Sequence, residues 1–164
     1  MGVVTLALMG FFAFLIMRAA APQMSPLFTD LSVEDSGPWR DACGRAGIAP
    51  VFIAAQTSTP ERLRAIGAAA RGFVYAASLL GVTGVRESMD DRARALVASI
   101  REETDLPVAV GIGVSTAEHA RAVASYADGV IVGSAVVKRI SGSSSPARDV
   151  GAFVSDLVTA VLST

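Results

Sequence analysis

Apolar residues in this chain fall into two alternating patterns. Four stretches are nearly uninterrupted: APVFIAA at 49–55, GFVYAAS at 72–78, PVAVGIG at 107–113 and GVIVG at 129–133. Each is short, rich in β-branched or aromatic residues and bounded by Gly or Pro, the pattern of a strand buried on both faces. Between them the apolar positions recur every three or four residues. Leu63 and Ile66 mark a helix from about 58 to 70, and Ala93, Leu96, Val97 and Ile100 mark another beginning near Asp90. Residues 35–46, 115–124 and 149–162 read the same way, with Val150, Phe153, Val154, Leu157, Val158 and Val161 forming the last apolar stripe.

The helix starts are written in the sequence. Ser58-Thr59-Pro60-Glu61 and Ser115-Thr116-Ala117-Glu118 each place a capping hydroxyl before an acid, and Pro60 suits a first helical turn. Gly47 stops the first helix. Residues 134–139 read as a short turn and 141–146, SGSSSP, as a flexible loop. The order is strand, helix, repeated four times. Such alternation predicts right-handed βα units around a parallel sheet, an α/β fold.

The ends of the chain read less clearly. The first 17 residues carry no charge, and Arg18 is the first. A buried strand with irregular flanks is the leading reading of this stretch. A signal peptide wants its positive charge before the apolar run, and a membrane span needs about 17–25 residues, so a membrane-associated segment is the minor alternative. Residues 18–33 include Pro22 and Pro26 without a sustained period, as a loop or broken helix would.

Composition narrows the class. Of 164 residues, 52% are apolar and 18% charged, with a net charge of −1, so the chain is expected to form one globular domain. No basic stripe interleaved with aromatics suggests nucleic acid. The single cysteine, Cys43, fits a reducing compartment such as the cytoplasm and reads as a small residue packed in a helix. His119 lies among alanines without a ligand-like neighbour, and no metal-ligand cluster is apparent.

Candidate chemistry sits at the strand ends. Ligands of parallel sheets bind beyond the C-terminal ends of the strands. Gly84, Gly113 and Gly133 stand at or just beyond three such ends, and Ser134 follows the third. Glycine lets backbone N–H groups approach an anion, and a helix N-terminus adds partial positive charge, so these positions suit a phosphate. Thr83 is a hydroxyl between glycines, either a turn residue or part of a catalytic loop. Tyr75 shares a strand face with Phe73 and Ala77. It is either a core tyrosine or one whose hydroxyl meets a substrate.

From Asp30 to Ile140 these stretches resemble the tryptophan synthase alpha chain family. TDLSVEDSG resembles that family's P-D-L-P-x-E-E-S signature, GFVYAASLLGVTG its strand and mobile loop, and VGIGVST and DGVIVGSAVVK its two phosphate-loop segments. The resemblance implies a (β/α)8 barrel that cleaves indole-3-glycerol phosphate to indole and glyceraldehyde 3-phosphate without a cofactor. It also implies a partner, a pyridoxal-phosphate beta chain in an alpha2-beta2 tetramer. Carried over, Gly84, Gly113, Gly133 and Ser134 match the phosphate-binding backbone. Thr83 matches the loop threonine that closes against an active-site acid, and Tyr75 a tyrosine near the catalytic pocket. Asp30, Ser32 and Glu34 fall on the beta-chain docking surface.

The departures shape the expectation. The family's catalytic acid and loop aspartate belong to its first two βα units, which have no counterpart here. TLALMGFF at 5–12 resembles the third strand, but too few residues follow for the next helix and strand. Thr29 and Ser32 replace prolines of the docking motif, and Gln56 stands where the family usually has proline. A partial barrel, with an activity lost or reduced in the chain alone, is therefore expected. A non-catalytic remnant that binds a beta chain or self-associates, and another sugar-phosphate-binding barrel half, are the alternatives.

Overall fold

A computed structural model describes residues 5–9, 13–17, 32–78, 86–111 and 113–164. The four apolar runs form strands β3 (Phe52–Ala55), β4 (Val74–Ala77), β5 (Val108–Gly111) and β6 (Gly129–Val132). They pair in parallel and in chain order: Phe52 opposite Val74, Val74 opposite Val108, Ala109 opposite Gly129. Helices α1 (Gly37–Ala46), α2 (Pro60–Ala69), α3 (Arg86–Glu103), α4 (Ala117–Ala124), α5 (Ser134–Ser141) and α6 (Pro146–Leu162) follow in the expected alternation.

The sheet buries one face under these helices. Phe52, Ala54, Val74, Ala76, Val108, Val110, Val130 and Val132 pack against Leu63, Ile66, Leu96, Val97, Ile100, Val123 and Leu157. Alternation along each strand sends the intervening residues to the opposite face. That face carries Ile53, Ala55, Tyr75, Ala77, Ala109, Gly111, Gly129 and Ile131, and its β3 and β4 members are only half-buried.

The N-terminal expectation needs correction. Instead of one strand with irregular flanks, two five-residue strands, β1 (Thr5–Met9) and β2 (Ala13–Met17), pair antiparallel. β2 then joins β6 antiparallel, so the sheet runs β1-β2-β6-β5-β4-β3. An uncharged run long enough for one membrane segment is equally two strands of ordinary length. No helix among the described residues is long and apolar enough to cross a membrane.

Helix boundaries differ most at α3, α5 and α6. α3 begins at Arg86, four residues before Asp90. Residues 134–141 form a complete helix where a short turn was expected, because Ala135 and Val136 are buried there and the Arg139 guanidinium lies over the Phe153 ring of α6, 3.4 Å from its centroid. α6 starts at Pro146, whose missing N–H is unneeded in a first turn.

Candidate functional site

The C-terminal mouths of β3 to β6 share one rung. Ala55, Ala77, Gly111 and Ile131 lie side by side across the sheet, on the face opposite the helix-packed core. Three of the four are small, so the sheet surface is hollow at this rung. Tyr75 stands one rung below and leans into the hollow. A Cβ placed on Gly111 would lie 2.8 Å from the Tyr75 hydroxyl oxygen and 2.8 Å from the Ile131 Cβ. The phenol therefore rests directly on the Gly111 backbone. Burial pushes its pKa above the usual tyrosine value, because the phenolate would lose hydration.

Gly113 and Gly133 each lie two residues beyond the paired Gly111 and Ile131, so adjacent strands deliver both glycines to the same end of the sheet. Gly113 has φ +90°, a conformation that side-chain-bearing residues rarely adopt. Gly133 caps α5, and its carbonyl accepts from Val136 N–H at 2.9 Å and Val137 N–H at 3.2 Å. The N–H groups of Ser134 and Ala135 precede that first helical bond, so the helix ladder does not use them. Ser134 is exposed. Arg139 does not reach back to this end: it donates to the Ala135 carbonyl and covers Phe153. Beside Gly113, Thr116 caps α4 by accepting from the His119 N–H at 3.2 Å, and Ser115 Oγ meets His119 Nδ1 at 3.4 Å. His119 thus belongs to a local helix start.

On the other flank, Gln56 and Ser78 are the residues immediately after β3 and β4. Gln56 Nε2 donates to Ser78 Oγ at 2.8 Å, and the Ser78 side chain is fully buried. The Ser78 N–H points on to the Gly111 carbonyl at 3.4 Å. The turn before α1 holds Ser32 and Glu34. Ser32 Oγ donates to Asp35 Oδ2 at 2.7 Å, and Glu34 pairs with Arg62 of α2 at 3.4 Å. This pair fixes the turn beside the start of α2, on the β3 side of the molecule. Thr83, Gly84 and Asp30 lie outside the described residues.

A separate concavity of about 580 Å³ opens between α2 and α3, floored by Leu63 and Leu96 and rimmed by Gln56, Arg92 and Glu102. Glu103 on its rim pairs with Arg64 of α2 at 2.9 Å. Gln56 and Ser58 on its rim join it to the end of β3, where Ser58 Oγ accepts from the Ala55 N–H at 3.1 Å. The structure thus brings Tyr75, Gly113, Gly133 and Ser134 to one end of the sheet and places Ser32 and Glu34 on its flank. Ser78 and Gly111 were not among the candidate residues read from the sequence, and Gln56 stood there only as a departure from the family's proline. The signal for Gly111 was its place in the GIG run beside a strand that carries tyrosine.

Comparison with known proteins identifies the family of this fold. The family described as tryptophan synthase alpha chain matches residues 8–158. The tryptophan synthase alpha chain of Streptomyces avermitilis is 54% identical over 112 residues, which are 68% of this chain and 40% of that protein. That of Thermobifida fusca is 47% identical over 131 residues, 78% of this chain and 48% of the relative. Among solved structures, tryptophan synthase subunit alpha from Legionella pneumophila superposes with a TM-score of 0.72 at 26% identity, over 85% of this chain and 52% of its own. Tryptophan synthase from Mycobacterium tuberculosis superposes with a TM-score of 0.71 at 38% identity, over 84% of this chain and 51% of its own. The chain spans about half the length, or less, of these relatives. Its four parallel strands and following helices are part of their α/β barrel, and the chain belongs to the tryptophan synthase alpha chain family.

Proposed function

We propose that this chain supplies the phosphate-binding side of a tryptophan synthase alpha-type site. It would hold the glycerol phosphate end of indole-3-glycerol phosphate and, alone, leave the substrate uncleaved. The observation that supports this most is the delivery of Gly113 and Gly133-Ser134 to one end of the sheet by paired strands, inside the stretch that matches the family. The free N–H groups at the start of α5 and the Ser134 hydroxyl suit a phosphate dianion, with the helix dipole favouring its charge. Gly84 would add a further N–H and Thr83 a hydroxyl from the segment after β4. Tyr75 would meet the substrate's organic portion from the sheet.

The family reaction splits a carbon–carbon bond of indole-3-glycerol phosphate to give indole and glyceraldehyde 3-phosphate. Releasing indole requires proton transfers at positioned groups. None of the strands β1 to β6 carries a carboxylate, and neither do Gln56 or Ser78 at the ends of β3 and β4. Binding without turnover is the consistent outcome. This chain itself would need no cofactor. A pyridoxal-phosphate beta chain would be its cytoplasmic partner, meeting the flank that holds Asp30, Ser32 and Glu34.

Calorimetric titration with glycerol 3-phosphate and a steady-state cleavage assay of the same purified chain test this reading. Saturable binding that Gly133→Val abolishes, with no indole formed, is expected. Steady indole production overturns the inactivity, and absence of any phosphate binding overturns the site. A pull-down with the beta chain tests the partner. Capture that stimulates beta-chain activity, in a chain that binds no phosphate, would favour a purely docking role instead.

A further inference from the structure

We propose that Gln56 is a positioning residue for Tyr75, acting through Ser78 and Gly111. The inference rests on the strand mouths being the binding site. The side-chain amide of Gln56 donates to Ser78 Oγ at 2.8 Å across the gap between the ends of β3 and β4. Ser78 is completely buried, whereas Gln56 is exposed, so the bond anchors a buried hydroxyl from the rim. The Ser78 N–H faces the Gly111 carbonyl at 3.4 Å, a long bond that depends on how the end of β4 is held. Gly111 is also the seat of the Tyr75 ring, since any Cβ there would collide with the phenol oxygen at 2.8 Å. The links run in one direction: Gln56 to Ser78, Ser78 to Gly111, Gly111 beneath Tyr75. A proline at position 56, as the resemblance leads one to expect, offers no donor to Ser78. This chain therefore holds the end of β4 by a side-chain hydrogen bond that proline cannot make.

The amide also settles the direction of the Ser78 hydroxyl. An Nε2 donor occupies one lone pair of Oγ, so the Ser78 proton is turned away from Gln56. A carboxylate in place of the amide accepts instead, and the same pair of heavy atoms stays bonded with the proton reversed. Gln56→Glu thus keeps the link, whereas Gln56→Ala and Gln56→Pro remove it. Gln56→Met keeps the bulk without the hydrogen bond and should behave as alanine does, whereas a role through bulk alone would leave it like the parent.

Hydrogen exchange of the chain and its variants reads the first link. Losing a hydrogen bond of ordinary strength should speed exchange of the Ser78 amide about two- to tenfold in Gln56→Ala and Gln56→Pro. Gln56→Glu should exchange like the parent. Absorbance titration in a Tyr126→Phe background reads the last link, because Tyr75 is then the only tyrosine. Its ionisation should move toward the free-tyrosine value in Gln56→Ala and stay raised in Gln56→Glu. Unchanged exchange in both Gln56→Ala and Gln56→Pro overturns the proposal. So does an unchanged Tyr75 titration in Gln56→Ala, or a Gln56→Glu variant that behaves as alanine does. None of these measurements involves a ligand, so failure of phosphate binding would remove the proposed function and leave them standing.

Discussion

Gly111 tolerates no side chain for a reason that lies on the next strand. Its Cα faces the Tyr75 ring, and an added methyl would meet both the phenol oxygen and the Ile131 Cβ at 2.8 Å. Neither neighbour is the free end of a flexible chain, so a strand or the tyrosine ring must shift. Gly111→Ala is expected to lower stability by about 1–3 kcal/mol, as overpacking does. Urea unfolding of the two proteins measures it, and equal midpoints would refute the contact. Tyr75 makes a second, pH-dependent prediction. Burial raises its folded pKa above 10.0, the ordinary tyrosine value. Below that value the phenol is neutral in both folded and unfolded chains and costs nothing. Above it the unfolded chain releases a proton that the folded chain retains, so stability falls as pH rises through and beyond about 10. Tyr75→Phe should flatten that decline in unfolding curves taken between pH 9 and 11. An equally steep decline in the variant would assign the effect to other groups.

Elements written as local patterns were readable from sequence, and elements decided by distant contacts were not. Val108, Val110, Val130 and Val132 are buried on a sheet with helices over it, so β5 and β6 appear as plain apolar runs. The start of α2 was readable to within a residue: capping-box spacing points to Ser58, but Thr59 is the cap, its Oγ1 accepting from the Arg62 N–H at 3.3 Å. Glu61 in the same turn has its pKa lowered by its own backbone N–H first and then by Thr59. Thr59→Ala should cost about 1 kcal/mol of stability by urea unfolding. A variant as stable as the parent would mean that α2 is held by packing alone. α5 was harder, because Val136 and Val137 side by side suit a strand or a turn as well as a helix. Its helical state comes from burial against α6 and from Arg139 over Phe153, neither of which is visible in eight residues of sequence. The Gln56–Ser78 bond joins residues 22 apart, and only the parallel register of β3 and β4 brings them together. Strand-end glycines could be placed from sequence for the same reason that this pair could not. A glycine after an apolar run is a local signal, whereas a hydrogen bond between two loops needs the register first.

At the scale of the whole molecule, the two faces of the sheet are unequal. Helices bury Phe52, Ala54, Val74 and Ala76 almost completely, while Ile53, Ala55, Tyr75 and Ala77 on the other face remain half-buried. Among the described residues β3 pairs with β4 alone, which leaves the outer edge of Phe52–Ala55 without a ladder partner. An open strand edge next to an apolar face is a surface on which chains associate, because backbone N–H and C=O groups and apolar area can be satisfied together. The purified chain is therefore expected to associate as its concentration rises. A lysine on the half-buried face of the edge strand would oppose this, since its charge would lose hydration in the contact. Ile53→Lys lies outside the helix-covered core, so folding should survive it, and circular dichroism checks that it does. Sedimentation velocity over a concentration series should show a rising average mass for the parent and a lower, flatter one for the variant. If the parent sediments as a monomer throughout, the outer edge of β3 does not drive association and the prediction fails.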